Sequence, residues 1–202
     1  MSNPKEIKKR ILSIESVIKT TEAMKMISVV KLRKIKDSLM KAKIYLDYIE
    51  KILLETKNKE NIQKNQYFSE KGKIKLFIVF TSDRGLCGSF NSLIFEKINH
   101  FFQKKKVLHN ECKFLSIGKK GFDFLNQKYS MYLKNCIENN LSNQKIQFLV
   151  SELISDFFQK KFSTIYLIYN YLKKSLFQEI ILEKFLPVTT KNFLEKKEEI
   201  KK

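Results

Sequence analysis

Residues 74–91 read IKLFIVFTSDRGLCGSFN, and this stretch decides the architecture. Ile74–Thr81 is an almost unbroken apolar run, rich in β-branched and aromatic residues. A strand with one wet face alternates polar and apolar residues; a run without alternation is covered on both faces. Ser82–Asn91 follows as a loop holding two of the five glycines in the chain, and a helix is predicted from about Asn91 to Lys105. Strand, glycine turn and helix in that order open an α/β layer.

Reading downstream, the pattern predicts a strand at Lys113–Ile117, a helix at Lys119–Gln127 and a short strand near Met131–Asn135. A helix at Leu141–Lys161, a strand at Ser163–Asn170 and a last strand at Gln178–Leu186, ending at Pro187, complete it. Strands alternating with helices predict an α/β fold: a Rossmann-like, mostly parallel sheet with flanking helices, the last strand pair antiparallel. About 115 residues suffice for one hydrophobic core.

Reading upstream, residues 3–58 contain one proline and no glycine. Asn3 as cap, Pro4 at the first helical position and Glu6 three residues after the cap form a helix start. An apolar line runs Ile7, Ile11, Ile14, Ile18, Thr21, Met24, Ser28 and Leu32, and continues through Ile35, Leu39, Ala42, Leu46, Ile49 and Leu53. Its mean step of about 3.5 residues is that of a left-handed coiled-coil seam, broken in phase between Thr21 and Leu32. Ala23–Val30 is apolar nearly all round, which predicts burial on several faces. A single helix of this length is not stable alone, and no later segment matches its length. The layout expected is a long coiled-coil helix over 1–58, a linker over 59–72, an α/β domain over 73–190 and a charged tail over 191–202.

The chain has 202 residues, 40 Lys+Arg against 21 Asp+Glu, and a formal charge of +19. Only Arg10, Arg33 and Arg84 are arginine, and the abundance of Lys, Asn, Ile and Phe is that of an AT-rich genome. Part of the charge is therefore compositional, although Lys5–Lys43 holds twelve basic and four acidic residues. Hydrophobic residues at 43% exclude a disordered polycation. No run reaches the roughly 18 apolar residues of a membrane span.

Catalytic and metal motifs are not evident. Cys87, Cys112 and Cys136 have no metal spacing, and His100 and His109 support no triad. No cofactor or metal site is expected. Gly85-x-x-Gly88 is neither a dinucleotide fingerprint nor a P-loop. Three readings of that loop stand: a phosphate cradle, glycines that permit tight strand–helix packing, or an exposed Asp83–Arg84 turn that docks another protein.

Two segments together resemble the gamma subunit of the F-type ATP synthase. The first, KEIKKRILSIESVIKTTEAMKMISVVKLRK (residues 5–34), is similar to that family's N-terminal helix, with its Thr-x-Ala-Met-x-Met core and Lys-x-Arg-Lys end. The second, TSDRGLCGSFN (residues 81–91), is similar to the family's Asp-Arg-Gly-Leu-Cys-Gly loop. Weaker similarity continues through Gly118–Gly121, Ile165–Asn170 and Gln178–Pro187 and is traced to about residue 190. The family's chain continues into a second long helix wound against the first. That helix is expected to be absent here, through a reduced subunit, a frameshift or a separate polypeptide.

The resemblance implies a central-stalk rotor subunit, without bond chemistry of its own, that couples proton flow to ATP synthesis. The implied partners are the alpha and beta subunits of the catalytic ring, the epsilon subunit and the membrane c-ring, with no nucleic acid and no direct small-molecule substrate. The implied ring contacts are Arg10, Thr21, Met24, Lys25, Met26, Lys31, Arg33 and Lys34. The implied structural or docking loop is Asp83, Arg84, Gly85, Leu86, Cys87, Gly88 and Asn91. The implied location is peripheral, at the cytoplasmic face of the bacterial cell membrane. The alternative reading is a basic coiled-coil adaptor or nucleic-acid-binding protein.

Overall fold

The computed structural model describes residues 3–56, 65–105, 111–139, 141–173 and 177–188. The chain divides into two units, Met1–Asn58 and Lys59–Lys202. The tail expected over 191–202 lies outside the described residues, as do residues 59–64 of the expected linker.

The first unit is one helix, α1, Pro4–Thr56. At 1.5 Å per residue its 53 residues extend for about 80 Å. Asn3 starts it: its side-chain oxygen accepts from the Lys5 N–H at 3.1 Å, and its carbonyl accepts from Glu6 at 2.9 Å. Polar side chains along α1 are satisfied within the helix, where Thr20, Thr21, Ser28 and Ser38 donate to carbonyls four residues back. The apolar ones are not covered. Met26 is 67% exposed and Val30 68%, and the seam residues Ile7, Ile18 and Leu39 are exposed as well. Among the described residues of its own unit, most of the seam is left exposed.

The second unit is a five-stranded sheet flanked by helices. Its elements are β1 Lys75–Phe80, α2 Phe90–Lys105, β2 Cys112–Ile117 and α3 Lys119–Tyr129. They continue with β3 Leu133–Ile137, α4 Asn143–Phe158, β4 Thr164–Lys173 and β5 Phe177–Leu186. The strand order is β3-β2-β1-β4-β5. β1 lies parallel to β2 and β4, β2 is parallel to β3, and β4 and β5 are antiparallel. The mostly parallel α/β sheet expected from the sequence is thus present. One strand is displaced: β3 begins at Leu133, because Ser130–Tyr132 forms a 3-10 turn where the pattern suggested the strand's start.

The unbroken apolar run has the burial it implied. Leu76 and Ile78 face one core, with Leu115, Ile117, Leu153 and Phe157. Phe77 and Val79 face the other, with Ile94, Ile98, Phe114 and Leu125. The second core is aromatic: Phe77 stacks on Tyr166 at 5.1 Å and meets Phe101 edge-on at 5.6 Å. Burying a large apolar side chain stabilises by about 1.5–3 kcal/mol, so β1 is the mechanical centre of this unit. Two strands run away from β1 on one side and two on the other, and its carboxyl end opens on the loop that carries the second motif.

Candidate docking loop and shaft residues

β1 hands its chain to the loop at Thr81, which is buried at 4% exposure. The Thr81 N–H donates to the Ile117 carbonyl at 2.8 Å, extending the ladder with β2 by one bond. Its hydroxyl accepts from the Gly121 N–H at 2.8 Å, and its carbonyl accepts from the Asn139 amide at 2.8 Å. Gly118 and Gly121 crowd this residue: a Cβ on Gly121 would sit 2.6 Å from the Thr81 and Ser116 hydroxyls, and one on Gly118 would meet the Thr81 carbonyl. The ends of β1, β2 and β3 are therefore knotted together around one threonine.

Asp83 completes that knot. One carboxylate oxygen accepts from the Lys119 N–H, the first residue of α3, at 3.0 Å; the other accepts from the Asn139 N–H at 3.2 Å. A helix N-terminus at the carboxyl edge of a parallel sheet is the usual seat of a ligand phosphate. At α3 that seat already holds the chain's own carboxylate.

The other half of the loop is pinned by Asn91, buried at 8% exposure in the first turn of α2. Its carbonyl oxygen accepts from the Ser82 N–H at 3.1 Å. Its amide donates to the Ser82 hydroxyl at 2.8 Å and to the Cys87 sulfur at 3.2 Å. The Ser82 hydroxyl donates to the Arg84 carbonyl at 2.6 Å. Cys87 is half-buried within this web. Gly88 takes a φ of 57°, a conformation glycine adopts at no steric cost.

What this frame presents is a short tip. Arg84, Gly85 and Leu86 are exposed. Leu86 is 96% exposed and holds a φ of 60°, which costs a leucine about 1–2 kcal/mol. The loop thus holds an apolar side chain in water on a costly backbone, above a hydrogen-bonded base. Asp83, Cys87, Gly88 and Asn91 build the frame, while Arg84, Gly85 and Leu86 form its presented edge. Sequence reading missed Thr81, Gly118 and Asn139 as members of this site. Asn139 carried no signal, being one asparagine in an asparagine-rich chain; Gly118 and Gly121 appeared only as a weak similarity.

On α1 the expected contact residues are all exposed. Arg10 pairs with Glu6 at 2.8 Å, a surface contact worth little. At about 100° per residue, Lys25, Lys31, Arg33 and Lys34 point in four different directions around the axis, about 60–120° apart. Met24 and Met26 lie on opposite sides by the same arithmetic. This zone thus carries cations and adaptable apolar groups in every direction.

Among the described residues no group of His, Cys, Asp and Glu could hold a metal ion. No described helix is long and apolar enough to cross a membrane.

Comparison with known proteins places these features. The family model described as ATP synthase matches residues 3–202, further than the motif resemblance reached. The chain is 33% identical over 193 residues to the ATP synthase gamma chain of Geobacter sp. (strain M21), covering 95% of this chain and 67% of that one. It is 31% identical over 191 residues to the gamma chain of Geotalea uraniireducens (strain Rf4), covering 94% and 67%. It is 32% identical over 197 residues to that of Campylobacter lari (strain RM2100), covering 93% and 67%. The chain therefore spans about two thirds of the length of these curated relatives. A chain in the cryo-EM structure of the Euglena gracilis mitochondrial ATP synthase rotor shares its fold. The TM-score is 0.58 at 16% identity, over 98% of this chain and 68% of that one. A chain in a second Euglena assembly, containing OSCP, F1 and c-ring, also has a TM-score of 0.58, at 15% identity, over 95% and 59%.

Proposed function

Since the chain belongs to the gamma-chain family of ATP synthase, we propose that it is the non-catalytic central-stalk subunit of an F-type enzyme. In this role it turns inside a ring of alpha and beta subunits and couples proton flow to ATP synthesis. The observation that carries the reading is α1. It is a 53-residue helix, apolar nearly all round at Ala23–Val30, with Lys25 within that stretch and Lys31, Arg33 and Lys34 just beyond aimed in different directions. A helix in a fixed bundle needs one or two apolar stripes and keeps a wet face. A shaft that meets successive partners on every side needs the distribution seen here.

Lys25, Lys31, Arg33 and Lys34 are assigned to acidic segments of the ring. Exposed charge pairs contribute only about 0–1 kcal/mol each, which suits contacts that form and break with rotation. The α/β unit is the foot, with the Arg84–Leu86 tip as its docking edge, against epsilon and the c-ring. The subunit is peripheral, at the cytoplasmic face of the bacterial membrane, held there by its partners.

The test is co-purification of the tagged full chain from its own cells. Recovery of alpha, beta and epsilon subunits is the expected result, and their consistent absence refutes the assignment. In the recovered complex, Arg33→Lys and Arg84→Lys should each lower coupled ATP synthesis, because lysine does not reproduce guanidinium geometry. Unchanged rates for both remove the contact roles of these two arginines.

A further inference from the structure

The segment that leads into the α/β unit is bound to the segment that leaves it. Residues 65–72 of the expected linker lie against the unit. Asn65 starts a 3-10 turn, Gln66–Phe68, by accepting from the Tyr67 N–H at 3.1 Å. The Tyr67 carbonyl accepts from the Val188 N–H at 2.8 Å, and the Tyr67 ring meets Phe158 edge-on at 4.8 Å. One Glu70 oxygen accepts from the Thr164 hydroxyl at 3.0 Å and the other from Lys184 at 3.1 Å. Thr164 is fully buried, so this contact reaches the base of β4. The Ile74 carbonyl accepts from the Ser163 N–H at 2.7 Å, where the segment joins β1.

We propose that Asn65–Ile74 is a release strap, the part of the α/β unit that yields first when the two chain ends are pulled apart. The reason is the direction of load. Tension entering at residue 65 and leaving at residue 188 falls first on the Tyr67–Val188 bond and the Glu70–Lys184 pair. These are few, partly exposed contacts loaded one after another. β5, the edge strand through which the load leaves, is held to β4 by a ladder of nine register pairs from Ile165↔Leu186 to Lys173↔Phe177, many more contacts than the strap has. Opening the strap frees ten residues, roughly 35 Å of chain, before any strand of the sheet is disturbed. The purpose of such compliance, cushioning torque between shaft and foot, rests on the rotor reading above; the strap itself does not.

The experiment pulls single molecules of the full chain along two axes in an optical trap. Handles on azide-bearing residues at Lys64 and Thr189, a terminal axis that leaves α1 unloaded, load the strap, and handles on azide-bearing residues at Lys97 and Lys145 load the unit across its two helical faces. Along the terminal axis a separate first step of roughly 35 Å is expected before the sheet breaks. Glu70→Gln with Lys184→Met should lower the force of that step and leave the cross-face axis unchanged. The exchanged pair Glu70→Lys with Lys184→Glu should recover most of it. Absence of the step in the parent chain overturns the proposal. So does an equal loss on both axes, which marks the pair as an ordinary stabilising contact. A failed co-purification speaks only against the rotor assignment and leaves these force outcomes standing.

Discussion

Alanine at three glycines of one site should give three different costs, each set by the surroundings of the missing Cβ. Gly118 has a φ of 106°, and a Cβ there would meet the Thr81 carbonyl and lie 2.6 Å from its hydroxyl. The backbone strain is about 1–3 kcal/mol, and forcing apart a packed, bonded threonine adds about 1–3 kcal/mol. The expected loss for Gly118→Ala is about 2–6 kcal/mol, a large share of the roughly 5–15 kcal/mol that holds a domain together. Gly88 has a φ of 57° but nothing within 4 Å of its Cβ position, so Gly88→Ala costs only the left-handed conformation, about 1–2 kcal/mol. Gly85 has ordinary backbone and open space, so Gly85→Ala falls within about 0.5 kcal/mol of the parent. Urea titration of the full chain, followed by near-UV circular dichroism of the aromatic core, measures all three. With a slope of about 1–3 kcal/mol per molar, the midpoint drops by roughly 2 M for Gly118→Ala and hardly moves for Gly85→Ala. A loss below about 1 kcal/mol for Gly118→Ala, or equal losses at all three positions, refutes the assignment of strain to the Thr81 knot.

Asp156 is buried between Lys161 at 2.7 Å and Lys134 at 2.9 Å. Burial pushes its carboxyl up, but the hydrogen bonds from Lys161 and Lys134 outweigh this and hold it below the ordinary carboxylate value. The parent should therefore be more stable than Asp156→Asn at neutral pH, by about 1–2 kcal/mol. That gap should close as pH falls below the usual carboxylate range and through the folded-state value; a gap that persists in acid refutes the pairing. Cys112 is 2% exposed and burial pushes its thiol up to about 11. At pH 8 its thiolate fraction is then roughly 200-fold below that of a free cysteine. A thiol reagent should modify it only on unfolding, while comparably fast labelling of all three cysteines in the native chain would contradict its burial. A peptide of residues 1–60 should be weakly helical when monomeric in dilute buffer, because its seam is uncovered. Strong, concentration-independent helicity by circular dichroism counts against the need for a partner.

The amino-acid order by itself determined the large divisions of this molecule. The run Leu76–Val79 specified a strand covered on both faces, because it is short, sits in a β-branched and aromatic stretch and runs into a glycine loop. The absence of glycine after Asn3, with a seam repeating every 3.5 residues or so, specified one long helix that lacks a partner in its own unit. These are periodic, local signals, summed over many residues. The two motifs also marked the family, because they pair unusual residue combinations in a set order. What only the tertiary structure decided was the role of individual loop residues. Asp83 looked like part of an exposed turn, yet its oxygens serve backbone N–H groups 36 and 56 residues away. Glu70 looked like linker and instead joins Thr164 and Lys184 across 94 and 114 residues. Such contacts leave little trace in composition or spacing, for a physical reason: two of the four donors are backbone amides, which every residue except proline carries, and the other two are common side chains. Which carbonyl or carboxylate meets them depends on where β1, β2, β3 and β4 end in space, and that is settled only once the sheet has formed.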